Sequence, residues 1–197
     1  MEPKYLEINL DPKVDPEDVN FAVNKAINRL HGIFHSQKIR AGIDLPLATS
    51  KYLGTKVRII GRQAVLNAVL NNAGMRELEK RRMIRLQGIE DIPQNARRIQ
   101  VKRVRNKDNN ELLKKARKKR NHLISKGVDP KELDSVQTLK SRMQNSEQLP
   151  YFLIERNNKK HSVFFDWKQI TQDITWREDG FNSYGLSSNI NGFAYRF

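Results

Sequence analysis

Four histidines, His31, His35, His122 and His161, are the side chains of this 197-residue chain that exchange protons most readily near neutral pH. There is no cysteine, so disulfides, thiolate zinc sites and cysteine nucleophiles are excluded. His31 and His35 stand four residues apart, a spacing that puts two ligands on one helical face. A metal site would add a carboxylate or third histidine at motif spacing, and none is found, so no metal and no cofactor are expected. Nor is there a nucleophile elbow, a phosphate-binding glycine loop or a clustered acidic triad for magnesium. If the chain cuts RNA, the route open to it is attack by a ribose 2′-hydroxyl on the adjacent phosphate. That reaction needs a base, a positioned sugar and charge stabilisation, but no metal. His31 follows Ile27 by four residues and adjoins Leu30, so on spacing alone a packed or capping imidazole is the simpler reading.

Charge points to the partner. Thirty-seven Lys and Arg against 22 Asp and Glu give +15, a field that favours a polyanion. Between Arg97 and Arg120 stand twelve basic and two acidic residues, about two-thirds of the net charge. Lys114, Lys115, Arg117, Lys118, Lys119 and Arg120 fill six of seven consecutive positions, where they would repel one another without a partner. Leu112, Leu113, Ala116, Leu123 and Ile124 leave a narrow apolar seam, so one side of this helix can dock while the broad side faces phosphates. Lys107 extends the basic run. Arg103 and Arg105, two apart on an extended segment, point the same way; an arginine fork matches the acceptors of guanine, and plain phosphate contacts are the alternative.

These groups need a scaffold, and hydrophobic periodicity supplies one. Leu6, Ile8 and Leu10 alternate as a strand over 4–10. Asp15, Pro16 and Asp18 start a helix carrying Val19, Val23, Ile27, Leu30 and Phe34. Short strands follow at 39–45 and 57–60, then a helix over 62–73, a charged connection, and a strand at 84–89. This β-α-β-β-α-β order is the ferredoxin-like unit. Pro93 closes it. A strand near Ile99 and Val101 leads to the basic helix, about 109–126, capped by Asp108 and Glu111 and stopped by Gly127; a further helix begins at Asp129 and Pro130. Extended stretches at 151–154, 163–167 and 170–176 precede a tail rich in Gly, Asn, Ser and aromatics. The expected class is α+β: a ferredoxin-like (RRM-like) domain at 1–93 and a second α+β domain carrying the basic helix at 94–197. No apolar run approaches a membrane span, and the first segment, MEPKYLEINLDP, carries acids where a signal peptide is basic and then apolar, so a soluble, cytoplasmic protein is expected.

The ending Gly180-Phe181-Asn182-Ser183-Tyr184-Gly185-Leu186-Ser187, followed by Gly192-Phe193 and Phe197, resembles the C-terminal signature of the subtype I-F CRISPR repeat endoribonucleases. The order of a Leu30-His31 helix, an Ile43-Asp44-Leu45-Pro46 strand, a Val101-Lys102-Arg103-Val104 strand, a basic helix and a Leu149-Pro150 strand is also similar to theirs. The resemblance implies that the arginine-rich helix lies in the major groove of a CRISPR repeat hairpin, in pre-crRNA and crRNA. It implies cleavage at the 3′ base of the stem, leaving a 2′,3′-cyclic phosphate. The expectation that goes with it is a protein, monomeric when free, that then stays on the crRNA with the other subunits of a type I-F surveillance complex. By motif, His31 matches the base, Tyr184 the tyrosine that positions it, and Arg103 the arginine that reads a guanine at the foot of the stem. Two positions depart from the pattern. Where the family has a ribose-holding serine, this chain reads Glu155-Arg156-Asn157-Asn158, which leaves Asn157, Ser162 or a tail serine to stand in. Arg105 replaces a base-reading glutamine. Phe164 or Phe165 is the candidate to stack under the terminal base pair, with core packing in a strand as the alternative. The reading from another class is a non-catalytic RNA-binding protein, of ribosomal type or a repeat binder that does not cut.

Overall fold

The computed structural model describes residues 2–104, 118, 121–127, 149–156 and 159–197. Met1–Val104 together with Pro150–Phe197 make one compact unit, and Arg105–Leu149 a second.

In the first unit, β1 (Lys4–Leu10) is followed by a 3-10 turn at Pro16–Asp18 and α1 (Val19–Ser36). Then come β2 (Gly42–Asp44), β3 (Lys56–Gly61), α2 (Gln63–Leu70), α3 (Ala73–Lys80) and β4 (Ile84–Asp91). The sheet order is β2-β3-β1-β4 with every neighbouring pair antiparallel, which is the ferredoxin-like arrangement. Alternation decides the faces. Leu6 and Ile8 pair with Ile59 and Val57 on the side that meets α1, whose Ala22, Val23, Ala26, Ile27, Leu30 and Phe34 are buried at helical spacing.

The connection expected to be merely charged is a helix, α3. Asn72 caps it by accepting from the backbone N–H groups of Gly74 and Met75 at 2.9 and 3.3 Å. Ion pairs Arg76–Glu79 and Arg81–Glu77 run along it while only Met75 and Leu78 turn inward. Two apolar residues are too few to show a period, so the cap was the signal to read.

A second sheet forms from β5 (Arg97–Val104), β6 (Tyr151–Arg156), β7 (Lys159–Gln169) and β8 (Ala194–Arg196), in the order β6-β7-β5-β8, again antiparallel throughout. Counted within this sheet, its strands take the same order as those of the first. Ile170–Trp176, expected to be extended, is not a strand: the ladder ends where the Ile170 N–H donates to the Arg98 carbonyl at 2.9 Å. Ile99, Val101, Phe152 and Phe165 join the same buried cluster as Leu6, Ile8 and Leu30, so both sheets share one core.

The other face of the first sheet is polar and internally paired. Glu7 meets Lys56 at 2.8 Å and Arg58 at 2.9 Å, and the Tyr5 hydroxyl donates to Glu90 at 2.6 Å. The chain end covers it: Arg58 donates to the Phe197 carbonyl oxygen at 2.7 Å and lies 3.8 Å from that ring's centre, while Arg196 grips the fully buried Asp44.

In the second unit, Lys118 and Asn121–Ser125 are helical and Lys118 is exposed. The helix closes where the N–H of Gly127, at φ +86°, donates to the Ile124 carbonyl, the left-handed stop that glycine accommodates. The helix expected from Asp129 onward, and the remainder of the basic run, lie outside the described residues.

Candidate active site

The tail loop Phe181–Ser187 is held by backbone bonds to both sheets. The Ile43 N–H of β2 donates to the Gly185 carbonyl at 2.7 Å, and the Ser187 N–H donates to the Val101 carbonyl of β5 at 2.7 Å. The Val101 N–H in turn donates to the Ser187 hydroxyl at 3.1 Å. Asn182 braces the turn from inside, its side-chain oxygen accepting from the N–H groups of Tyr184 and Leu186 at 2.9 and 3.2 Å. Gly185 sits at φ +73°, and a Cβ there would stand 2.5 Å from the Ile43 side chain, so both conformation and space call for glycine. Gly180 and Gly192 pass so closely that a Cβ on either would strike the other's backbone at about 2 Å.

This loop is the platform that meets His31. The Nδ1 of His31 lies 2.8 Å from the Ser183 carbonyl oxygen. A carbonyl only accepts, so Nδ1 carries the proton, and in the neutral ring Nε2 keeps its lone pair. No described residue hydrogen-bonds Nε2. The half-buried imidazole stacks on Tyr184, with ring centres 4.6 Å apart and planes 12° from parallel. On the same tyrosine, the Arg103 guanidinium stands 5.5 Å from the ring centre. An imidazole with a free lone pair, an aromatic support and a cation, from α1, the tail loop and β5, are thus gathered in one place.

Helix α1 is fixed by side chains that pattern reading passed over. Asn20, Asn24 and Asn28 recur every four residues along one stripe. Asn24 accepts from the Leu153 N–H at 2.6 Å; Asn28 donates to the Leu153 carbonyl at 2.6 Å and accepts from the Glu155 N–H at 3.0 Å. Asn20 secures the other end, accepting from the Leu53 N–H at 2.8 Å. β6 is an edge strand, so its outward N–H and C=O groups need partners, and two helical amides provide them in place of a neighbouring strand. His31 follows Asn28 by three residues on that stripe, which carries it to the tail loop. The signal was present as an Asn-x-x-x-Asn-x-x-x-Asn period; the carbonyl of Ser183 had none.

The other expected residues scatter. Phe165 is 2% exposed and packs against Phe152 at 5.8 Å, so its ring is spent on the core, and the stacking role weighed for it gives way to the core alternative. Phe164 is half-buried beside exposed Tyr151, ring centres 5.2 Å apart. Ser162 is exposed on β7 and makes no hydrogen bond to His31 or Tyr184. Of the tail serines, Ser183 is the one in contact with His31. His35 is exposed, 6.1 Å from the His31 ring. Among the described residues no three His, Asp or Glu stand close enough to hold a metal ion. Asn157, Arg105, Lys107, Lys114, Lys115, Arg117, Lys119 and Arg120 lie outside the described residues.

Comparison with known proteins adds a family. The model of the family described as CRISPR-associated protein (Cas_Csy4) matches residues 5–191. No curated protein matches the chain. Among solved structures, the crystal structure of the CRISPR RNA processing endoribonuclease Cas6b aligns over 95% of this chain and 97% of its own, at 12% identity and a TM-score of 0.30.

Proposed function

As the chain belongs to the CRISPR-associated Cas_Csy4 family, we propose that it is the endoribonuclease that processes CRISPR repeat RNA, cutting at the 3′ base of a hairpin with His31 as the base. The observation that carries this reading is the bond between His31 Nδ1 and the Ser183 carbonyl, which fixes the tautomer and leaves Nε2 free to take a proton. In the step proposed, Nε2 removes the proton of a ribose 2′-hydroxyl. The oxygen forms a bond to the adjacent phosphorus, the bond from phosphorus to the 5′ oxygen breaks, and the products are a 2′,3′-cyclic phosphate and a 5′-hydroxyl that takes up a proton. Tyr184 holds the imidazole plane, and Arg103 reads a guanine at the foot of the stem. Ser183 is the tail serine best placed to hold the ribose in place of the family's own. No metal takes part. The basic segment Arg105–Arg120 grips the stem through its phosphates, and the protein stays on the crRNA as one subunit of a surveillance complex in the cytoplasm.

The test is a repeat RNA incubated with pure protein in EDTA. Cleavage survives chelation, is lost in His31→Ala, and is lost when the nucleotide before the cut carries a 2′-deoxyribose, while binding of both RNAs persists. Binding without cleavage by the unaltered protein would identify a repeat binder that does not cut.

A further inference from the structure

Beside the asparagine stripe, α1 presents a second row to solvent: Phe21, Lys25, Arg29 and, toward His31, Gly32 and His35. Phe21 is 55% exposed, and the Lys25 ammonium lies over its ring at 5.4 Å. Phe21 and Lys25 of this row, with Asn20, Asn24 and Asn28 of the stripe beside it, form one wall of a groove of about 380 Å³ whose other wall is Leu153, Glu155 and Lys160 of the β6–β7 hairpin. The groove continues into a second hollow of about 340 Å³ bounded by Lys25, Asn28, Arg29 and Glu155. Beyond it, next to His31 in the chain, Gly32 leaves the helix surface bare, with no atom within 4 Å of where a Cβ would stand. Three cations face one carboxylate along this path, and an exposed aromatic ring ends it. A solvated helix face would have little use for an exposed phenylalanine at the mouth of a cationic groove; a nucleic-acid strand uses both, the cations for phosphates and the ring for a base.

We propose that this groove binds the single-stranded RNA that continues 3′ of the scissile phosphate, with a base stacked on Phe21 and phosphates on Lys25, Arg29 and Lys160. The proposal rests on the active-site reading above and extends it to the strand that leaves. Phe21 and His31 are ten residues apart on one helix, about 15 Å, which spans up to about four nucleotides at stacked spacing. The groove would hold the flank in line while the bond breaks and surrender it once it is no longer tethered to the stem.

The experiment compares two hairpin RNAs made uncleavable by one 2′-deoxyribose, the first ending at the cut and the second carrying five more 3′ nucleotides. The 3′ flank is expected to tighten binding to the intact chain about tenfold, as for one well-stacked base. Phe21→Ala should remove most of that gain and leave the flankless hairpin unaffected. The double variant Lys25→Glu, Lys160→Glu should weaken the flanked RNA alone and flatten its salt dependence. The assignment is overturned if the 3′ flank adds no affinity, if a 5′ flank gives the gain instead, or if Phe21→Ala weakens both RNAs alike. Cleavage of the all-ribose flanked RNA, run in parallel, separates the two readings. Intact cleavage with no flank effect removes the groove alone, whereas failure to bind and cut the hairpin removes both.

Discussion

At the scale of single residues, the site depends on geometry imposed on an ordinary imidazole. The Ser183 carbonyl decides which nitrogen is protonated, and the Tyr184 ring decides the plane in which the other one points. The tyrosine acts through its face, and among the described residues its hydroxyl has no hydrogen-bond partner. Tyr184→Phe should therefore cut repeat RNA at close to the parent rate. Tyr184→Ala, which frees the imidazole to tilt, should slow single-turnover cleavage by about a hundredfold, the scale expected for a misplaced catalytic group. Equal loss in both variants would instead assign the work to the hydroxyl. Legibility differs sharply between neighbours here. His31 could be listed from its type, but the role proposed for it came from a resemblance in the tail. Phe164 and Phe165 are alike in sequence, and only strand register showed that Phe165 faces the core.

At the scale of elements, the asparagine ladder couples α1 to the edge of the second sheet. Each lost amide would strand a backbone group of β6 against a helix that offers no replacement. Asn28 bonds both Leu153 and Glu155, so Asn28→Ala should free the end of α1 that carries His31. The expected result is a cleavage rate at least tenfold lower with hairpin affinity unchanged, measured well below the melting temperature. A drop in melting temperature with an unchanged rate would make the ladder structural only. Most elements were readable because burial on one face leaves a period: the strands near residues 4–10, 57–60 and 84–89 and the long helix all show it. Helix α3 was missed because its stability comes from a cap and surface ion pairs. β8 was missed because three residues cannot display alternation, and it exists through pairing with β5.

At the scale of the whole molecule, the covered face of the first sheet makes stability depend on pH at both extremes. Burial works to raise the carboxyl of Glu7, but hydrogen bonds from Lys56, Arg58 and Asn9 outweigh it and hold it below its ordinary range. The unfolded chain therefore takes up that proton first. The stabilisation is complete above the ordinary carboxylate range and is lost as pH falls through the lower folded value. Tyr5 behaves in the opposite sense. Burial and its bond to Glu90 push its pKa up to about 12, so stability holds below the usual value of 10.0 and declines as pH rises toward the folded one. Urea midpoints followed across pH should fall on both sides, with the acid limb flattened in Glu7→Gln and the alkaline limb in Tyr5→Phe. If neither variant alters its limb, the paired face contributes nothing to the pH dependence.

The order of charges and apolar residues determined, without any coordinates, that this chain carries a ferredoxin-like half, a strongly basic segment and a histidine near the end of its first long helix. Such features are local, and each leaves a periodic or compositional trace. That the same strand order recurs in the second half, that asparagines close the edge of β6, and that the tail delivers a carbonyl to His31 were decided by tertiary structure alone. Contacts between residues as far apart as 31 and 183 depend on how two sheets close around one core, and a backbone carbonyl, being the same in every residue, leaves no mark in the sequence.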